Sequence, residues 1–366
     1  MHKLTREHAS AISAVQRGLA DMAVDLHFES DPTMDERYGP GGRRIWRTEA
    51  LARLGHLAAS VACDRPAYFT GHIVWAAAAL RARGVSEADI QGHVLTLAQC
   101  LAAELPAPVA AHLVPFFHAA TSALAEPPDH EHGLIERTGE DSTLARLFLL
   151  HLLQRDHVAA STLALEALRG GMPLLAVYER IVSPALSEIG RMWHIQEASI
   201  ADEHFGSAAV RAIIVQLRAA TKARPADGRR ALCCTVDGDL HDSGVRMFAD
   251  LLEVEGWTVE FLGADVPATE VVMSIADVAS DPNRAFDLVA VGASTMLSVR
   301  AAMDLADAMQ ASPEARRVPL LIGGGAFTAN DGLAESIGAT AAAGNLSEAV
   351  AVAGRLVPTR GASTPR

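Results

Sequence analysis

The sequence predicts a multidomain chain: an N-terminal all-α domain, a four-helix bundle, and a C-terminal α/β domain on a parallel sheet. Three observations carry this. Up to about residue 222, apolar residues recur at helical spacing between short breaks. From Arg230, short apolar runs alternate with helical stretches, the βαβ pattern of a sheet covered on both faces. Between these regions lie the polar, proline-containing stretches Glu126 to His132 and Ala223 to Arg229, which read as linkers. The implied domains are 1–135, 136–225 and 226–358, with a frayed tail over 359–366.

In the first domain, a turn-rich stretch from Asp31 to Arg44 precedes a helix from Trp46 to Ala62. A second helix runs from Tyr68 to Arg83 and stops at Gly84. Ser86 opens a third, with Asp89 placed as its capping-box partner. Pro106 and Pro108 precede a fourth, Val109 to Leu124. The bundle helices are Asp141 to Arg155, His157 to Arg169, Pro173 to Trp193 and Ser199 to Lys222. Their short connections favour antiparallel packing. The strands are Ala231 to Val236, Thr258 to Leu262, Leu288 to Gly292, Pro319 to Ile322 and Ala339 to Ala343.

Composition narrows the function. The chain of 366 residues is 50% hydrophobic with only 5% aromatics, so Ala, Leu and Val carry the packing and favour helix. A formal charge of −13 excludes affinity won by neutralising phosphates over the whole surface, so no nucleic-acid partner is expected. The N-terminus lacks a signal-type apolar core, and the longest apolar run, Ile73 to Leu80, is too short to span a bilayer. A cytoplasmic protein without membrane contact is expected. Cys63, Cys100, Cys233 and Cys234 have no zinc-like spacing and read as reduced, buried thiols.

In α/β sheets, ligands sit at the carboxyl ends of the strands. The first strand ends in Asp237-Gly238-Asp239-Leu240-His241-Asp242-Ser243-Gly244, which has no phosphate-loop spacing. It offers an imidazole, His241, between Asp239 and Asp242. Ser243 and Gly244 follow at a helix start. That pattern suits a metal-bound histidine whose second ring nitrogen is held by a carboxylate. One histidine cannot build a zinc site, so the metal would arrive inside a cofactor. The alternative is a solvated loop. Three further strand ends carry Gly263 to Pro267, Gly292 to Met296 and Gly323 to Gly325.

On DGDLHDSG, LGADVP, the Ser of GASTM and the Gly pair of LLIGGG, residues 230–357 resemble the cobalamin-binding domain of methionine synthases, corrinoid proteins and base-off mutases. The resemblance implies a Rossmann-like cobalamin-binding domain with His241 as the lower axial ligand of cobalt. Asp239 would bond to its far nitrogen. The displaced benzimidazole tail would pass Ser294, Gly323 and Gly324. Asp242, Ser243, Gly244, Val266 and Met296 join the implied contacts. Met296 stands where the family has Leu, a change that keeps volume.

The bundle carries Arg191-Met192-Trp193-His194 and, after a short loop, Ser199-Ile200-Ala201-Asp202-Glu203-His204. Taken singly, Trp193 also reads as core, and Glu203-His204 as a solvated first turn. Together they resemble the cap of the CarH-type light-sensing repressors, over residues 141–357. That resemblance implies a four-helix bundle cap over adenosylcobalamin. Trp193 would pack on the adenosyl group, Glu203 would hydrogen-bond it, and His204 would support the cap. His194 would be the upper cobalt ligand after light.

The first domain has no winged-helix pattern. Its stretches ERYGPGGRRIW and LARLGHLAASVACDRPAYFTGHIVW are similar to the helical domain of the photocobilins, which pair cobalamin with a bilin. Carried over, Arg43, Arg44 and Arg47 would meet the propionates of biliverdin, bound non-covalently. His56 and His72 would face the pyrrole nitrogens, with Tyr38, Trp46 or Trp75 as walls. An all-helical dimerisation or docking domain is the alternative.

The expected function is a non-enzymatic photoreceptor that changes its homo-oligomeric state, or its hold on a downstream protein, in light. Two alternatives stay open. One is a corrinoid methyl carrier of a methyltransferase system. The other is a cobalamin sensor without photochemistry.

Overall fold

The computed structural model describes residues 2–126, 133, 140–328 and 332–359. Packing divides the chain into two units, residues 1–131 with 194–196, and residues 132–193 with 197–366. Most of the first expected linker, and the tail from 360, lie outside the described residues.

The N-terminal unit is helical: α1 (His2–Ser30), α2 (Met34–Tyr38), α3 (Gly42–Ala62), α4 (Pro66–Ala82), α5 (Glu87–Glu104) and α6 (Ala107–Ala125). One expectation is corrected here. The stretch Asp31 to Arg44 is largely helical, holding α2, a 3₁₀ turn over Gly39–Gly41 and the first residues of α3. Asp31 starts it by accepting hydrogen bonds from Thr33 N at 2.9 Å and Thr33 Oγ1 at 2.7 Å. Met34 then buries its side chain completely. Gly42 allows the close return, because a Cβ there would lie 2.5 Å from Tyr38 Cβ. At α5, Ser86 Oγ accepts from Asp89 N at 3.1 Å as expected. The Asp89 carboxylate does not return to Ser86. It accepts from Tyr38 Oη at 2.7 Å and Arg37 Nη2 at 2.9 Å.

The second unit opens with α7 (Glu140–Leu153), α8 (His157–Arg169), α9 (Leu174–Val177), α10 (Ser183–His194) and α11 (Ile200–Ala220). The segment expected as one helix from Pro173 to Trp193 is interrupted by a π turn over Tyr178–Val182. This turn carries Tyr178, fully buried, whose hydroxyl donates to Asp250 Oδ2 at 2.8 Å. The capping box of Ser199 and Asp202 is complete at the start of α11.

The α/β part follows as β1 (Arg230–Val236), α12 (Ser243–Val254), β2 (Thr258–Val266), α13 (Ala268–Val278), β3 (Leu288–Gly292), α14 (Met296–Ala311), β4 (Leu320–Gly323), α15 (Leu333–Ile337), β5 (Ala341–Ala343) and α16 (Leu346–Leu356). All strand pairs are parallel, in the order β2-β1-β3-β4-β5. The strand order reverses between β1 and β3, which opens a crevice at their carboxyl ends. β2 runs further than expected, so Gly263 to Val266 belong to the strand and not to a loop. Its register against β1 slips near Cys234, where Gly263 and Asp265 take φ of 90° and 58°. Helix α12 serves two cores. Met247 and Leu251 pack with the bundle, while Phe248 and Leu252 pack on the sheet.

Candidate functional site

β1 is buried from Ala231 to Val236 and delivers its loop at the crevice. Gly238, at φ 75°, turns the chain so that Asp239 points back into the protein. The Asp239 side chain is 0% exposed. Its Oδ1 accepts from His241 Nδ1 at 2.9 Å and from His241 N at 3.0 Å. Its Oδ2 accepts from Ser294 N at 2.5 Å, across the crevice from β3. Burial pushes this carboxyl up, but the donors from His241, Ser294 and Ser298 prevail and hold it down to about 2. Asp239 is therefore ionised, and raises His241 above the usual histidine range through their hydrogen bond. The proton of the neutral ring sits on Nδ1, which leaves the Nε2 lone pair for a metal. The His241 side chain is 71% exposed, so that lone pair is accessible.

Two residues without a role in the sequence reading hold this loop. Thr235, buried in β1, donates from Oγ1 to the Asp239 carbonyl and accepts from Asp265 N at 3.0 Å. Asp265 Oδ1 accepts from Gly238 N at 2.6 Å. The Asp of LGADVP was the available signal, but its role depends on the slipped register of β2.

The remaining expected residues divide. Gly244 opens onto free space, where a Cβ would meet nothing within 4 Å. Asp242 accepts from Arg211 Nε of α11 at 3.3 Å, and Ser243 starts α12. Val266 ends β2 opposite Val236, and Met296, buried, opens α14. Gly323 ends β4. Gly324 is needed by the protein itself, because a Cβ there would lie 2.3 Å from the Ala293 carbonyl oxygen.

In the bundle, Trp193, next to last in α10, is partly exposed, at 36%. Glu203 accepts from Ser207 Oγ at 2.6 Å and from His204 Nδ1 at 2.5 Å. Its half-buried carboxyl is pushed up by desolvation, yet these donors bring it below the usual range. His204 is exposed. His194 belongs by packing to the first unit. Its ring stacks on Trp75 at 3.7 Å between centroids, and its Nε2 lies 2.8 Å from the Trp75 carbonyl oxygen.

The structure does not gather the expected bilin residues. Arg43 pairs with Asp25 at 3.0 Å and Asp35 at 3.1 Å, and Arg47 pairs with Asp21. Arg44 is exposed. Tyr38 is held by Asp89 and lies edge-on to Trp46 at 5.6 Å. His56 and His72 do come together, stacked at 3.4 Å with rings 5° apart.

Among the described residues no three metal-ligating side chains converge. The site fits a metal held in a macrocycle: one exposed, tautomer-fixed imidazole, open space at Gly244, and a crevice beside it. Among the described residues no helix is long and apolar enough to cross a membrane.

Residues 229–353 match the B12 binding domain family, and residues 144–218 match a second B12 binding domain family. The chain is 29% identical to the HTH-type transcriptional repressor CarH of Myxococcus xanthus over 178 residues, 47% of this chain and 55% of that protein. To the repressor CarA of the same organism it is 35% identical over 97 residues, 26% of this chain and 32% of that protein. It thus spans about half, or less, of those relatives' lengths. It is 30% identical to dimethylamine corrinoid protein 2 of Methanosarcina acetivorans over 123 residues, 34% of this chain and 53% of that protein. The monomethylamine corrinoid protein of Methanosarcina barkeri shares the fold, with a TM-score of 0.53 at 22% identity, over 60% of this chain and 100% of that one.

Proposed function

We propose that this chain, a cobalamin-binding protein by its two B12-binding domains, is a light sensor that holds adenosylcobalamin base-off on His241. The observation that carries the reading is geometric: His241 on the sheet domain is exposed with its ring held by Asp239, and the bundle presents Glu203, held by Ser207 and His204, and the partly exposed Trp193.

Adenosylcobalamin supplies a cobalt–carbon bond that light breaks. The chain's residues orient and report. Asp239 fixes the His241 tautomer. Glu203, held by Ser207 and His204, would accept hydrogen bonds from the adenosyl group, and Trp193 would cover it. A switch needs contacts that differ between two states. The dark contacts would be those of Trp193 and Glu203, and His194 would be the residue to hold cobalt after light. Helix α12 transmits the change, because it begins beside His241 and packs on both bundle and sheet. The N-terminal unit takes biliverdin as second chromophore, and output is altered self-association or release of a protein partner, without enzymatic turnover.

The test is an absorption spectrum of the protein loaded with adenosylcobalamin and biliverdin, before and after green light, with size-exclusion chromatography of both states. Cobalamin bands that change together with elution volume support the reading. Unchanged bands and volume refute it. Trp193→Ala is expected to keep cobalamin but loosen the light response of elution volume. A parental response in that variant removes Trp193 from the cap.

A second reading is a corrinoid methyl carrier. It is favoured by the similarity to dimethylamine corrinoid protein 2. Its mark is a preference for methylcobalamin over adenosylcobalamin.

A further inference from the structure

The N-terminal unit buries a guanidinium that has no anion. Arg53, on α3, is 0% exposed, and its Nε and Nη2 have no hydrogen-bond partner. Its Nη1 contacts His93 Nδ1 from α5. Because Arg53 can only donate, His93 Nδ1 accepts, and the His93 proton sits on Nε2. That Nε2 is also buried and without a partner. Ser60 lies two turns along the same face of α3, equally buried, with an unpartnered hydroxyl.

Among the described residues no carboxylate is placed to serve Arg53. Glu49, one turn earlier, acts on it only through space. Asp89 is taken by Tyr38 and Arg37. Arg53, His93 and Ser60 each offer hydrogens, so the missing partner is an acceptor, and the guanidinium requires it to be anionic. Flat rings stand beside His93. Trp46 and His27 flank His93, with ring centroids 4.8 Å and 5.4 Å away. Buried charges persist when paired, and buried polar groups when hydrogen-bonded.

We propose that Arg53, with His93, forms a binding site for a carboxylate carried on an apolar or conjugated body. The tetrapyrrole propionate and the fatty-acid headgroup share this chemistry. The site replaces Arg43, Arg44 and Arg47, of which Arg43 and Arg47 are paired with acids at the surface. The proposal rests on the bilin reading only for one of its two probes.

The full chain and its Arg53→Met variant are titrated with biliverdin, followed by absorption, and with laurate, followed by calorimetry. Thermal midpoints without ligand establish that both proteins fold. The parent is expected to bind one probe saturably, with binding weakened at least roughly tenfold in Arg53→Met and partly restored in Arg53→Lys. Biliverdin bound equally by parent and Arg53→Met overturns the proposal and leaves the bilin reading standing. Laurate bound through Arg53, with biliverdin not bound, upholds the proposal and ends the bilin reading. If neither probe binds the parent, both fall.

Discussion

Asp239 is wholly buried and both its carboxylate oxygens are occupied. Arg53 is wholly buried as well, and its Nε and Nη2 are not occupied. The first group was assembled by the fold. A strand end, a neighbouring strand and a backbone turn each bring it a donor, so it is preorganised before anything binds. The second is a set of donors facing one another. The contrast separates two uses of a buried charge. A satisfied one fixes the geometry of a neighbour, here His241. An unsatisfied one leaves a demand that a ligand can meet.

The largest effect is expected at the residue that Asp239 serves. His241→Ala should weaken cobalamin retention by more than the roughly 10–100-fold that loss of an orienting partner costs, or should leave the benzimidazole on cobalt. The absorption spectrum of bound cobalamin distinguishes the two. An unchanged base-off spectrum in the variant removes His241 from the metal.

Acid should separate the two regions next. His27 lies in the Arg53 cluster, and desolvation lowers it to about 4. It is neutral when folded and charges more readily when unfolded. Its contribution is therefore complete above about 6.5 and is lost as pH falls towards 4. At about 1.4 kcal/mol per unit, the N-terminal unit loses roughly 3 kcal/mol through His27 over that range. Asp239 is depressed to about 2, so its contribution is complete above about 4 and lost only below it. Hydrogen exchange at pH 5 should then show faster opening of α1, α3 and α5 than of β1 and β3. Equal protection loss in both regions contradicts the assignment of charge states.

The two clusters also differed in how far the sequence exposed them. The His241 loop was legible because its parts lie within eight residues, and a glycine-bounded acid–His–acid run at a strand end has few other uses. Asp265 was not, because its role appears only when β2 slips against β1 and brings it under Gly238. Arg43 and Arg47 looked like a cationic patch, but they stand one helical turn apart and face acids of α1 and α2. Arg53 lies inside the helix expected from Trp46 to Ala62. Nothing local marks a residue as buried without a partner, since the missing acid is a property of helices distant in sequence. The helices themselves were legible from their period. The π turn at Tyr178 was not, since it depends on Asp250, 72 residues away.

Substitution by an apolar residue should give opposite signs in the two clusters. Asp239→Leu strands the donors Ser294 N and His241 N and breaks a charged network, and should cost about 3–5 kcal/mol. Arg53→Met removes a buried charge that has no counter-ion and keeps volume. It should be neutral or stabilise the ligand-free chain by about 1–4 kcal/mol. Chemical denaturation of both variants reads the signs directly. If Arg53→Met destabilises as strongly as Asp239→Leu, the Arg53 cluster is a satisfied structural core and the contrast between the two regions disappears.

The smallest effect tests whether a satisfied network also couples two parts of one unit. Tyr178 reaches from the π turn of the bundle to Asp250 on α12, and Arg246 binds the other oxygen of the same carboxylate. Tyr178→Phe keeps the ring in the core and removes one of these donors. Asp250 keeps Arg246, so it stays charged and paired, and the loss should be about 1–2 kcal/mol. A purely local bond would cost that much and leave the light response unchanged. A bond that ties the bundle to the helix beside His241 should in addition alter how far elution volume shifts after green light. The double variant with Trp193→Ala separates the cases, because two residues acting on one bundle movement should be non-additive in that shift. Strict additivity would confine Tyr178 to holding the core and leave α12 without a demonstrated part in transmission.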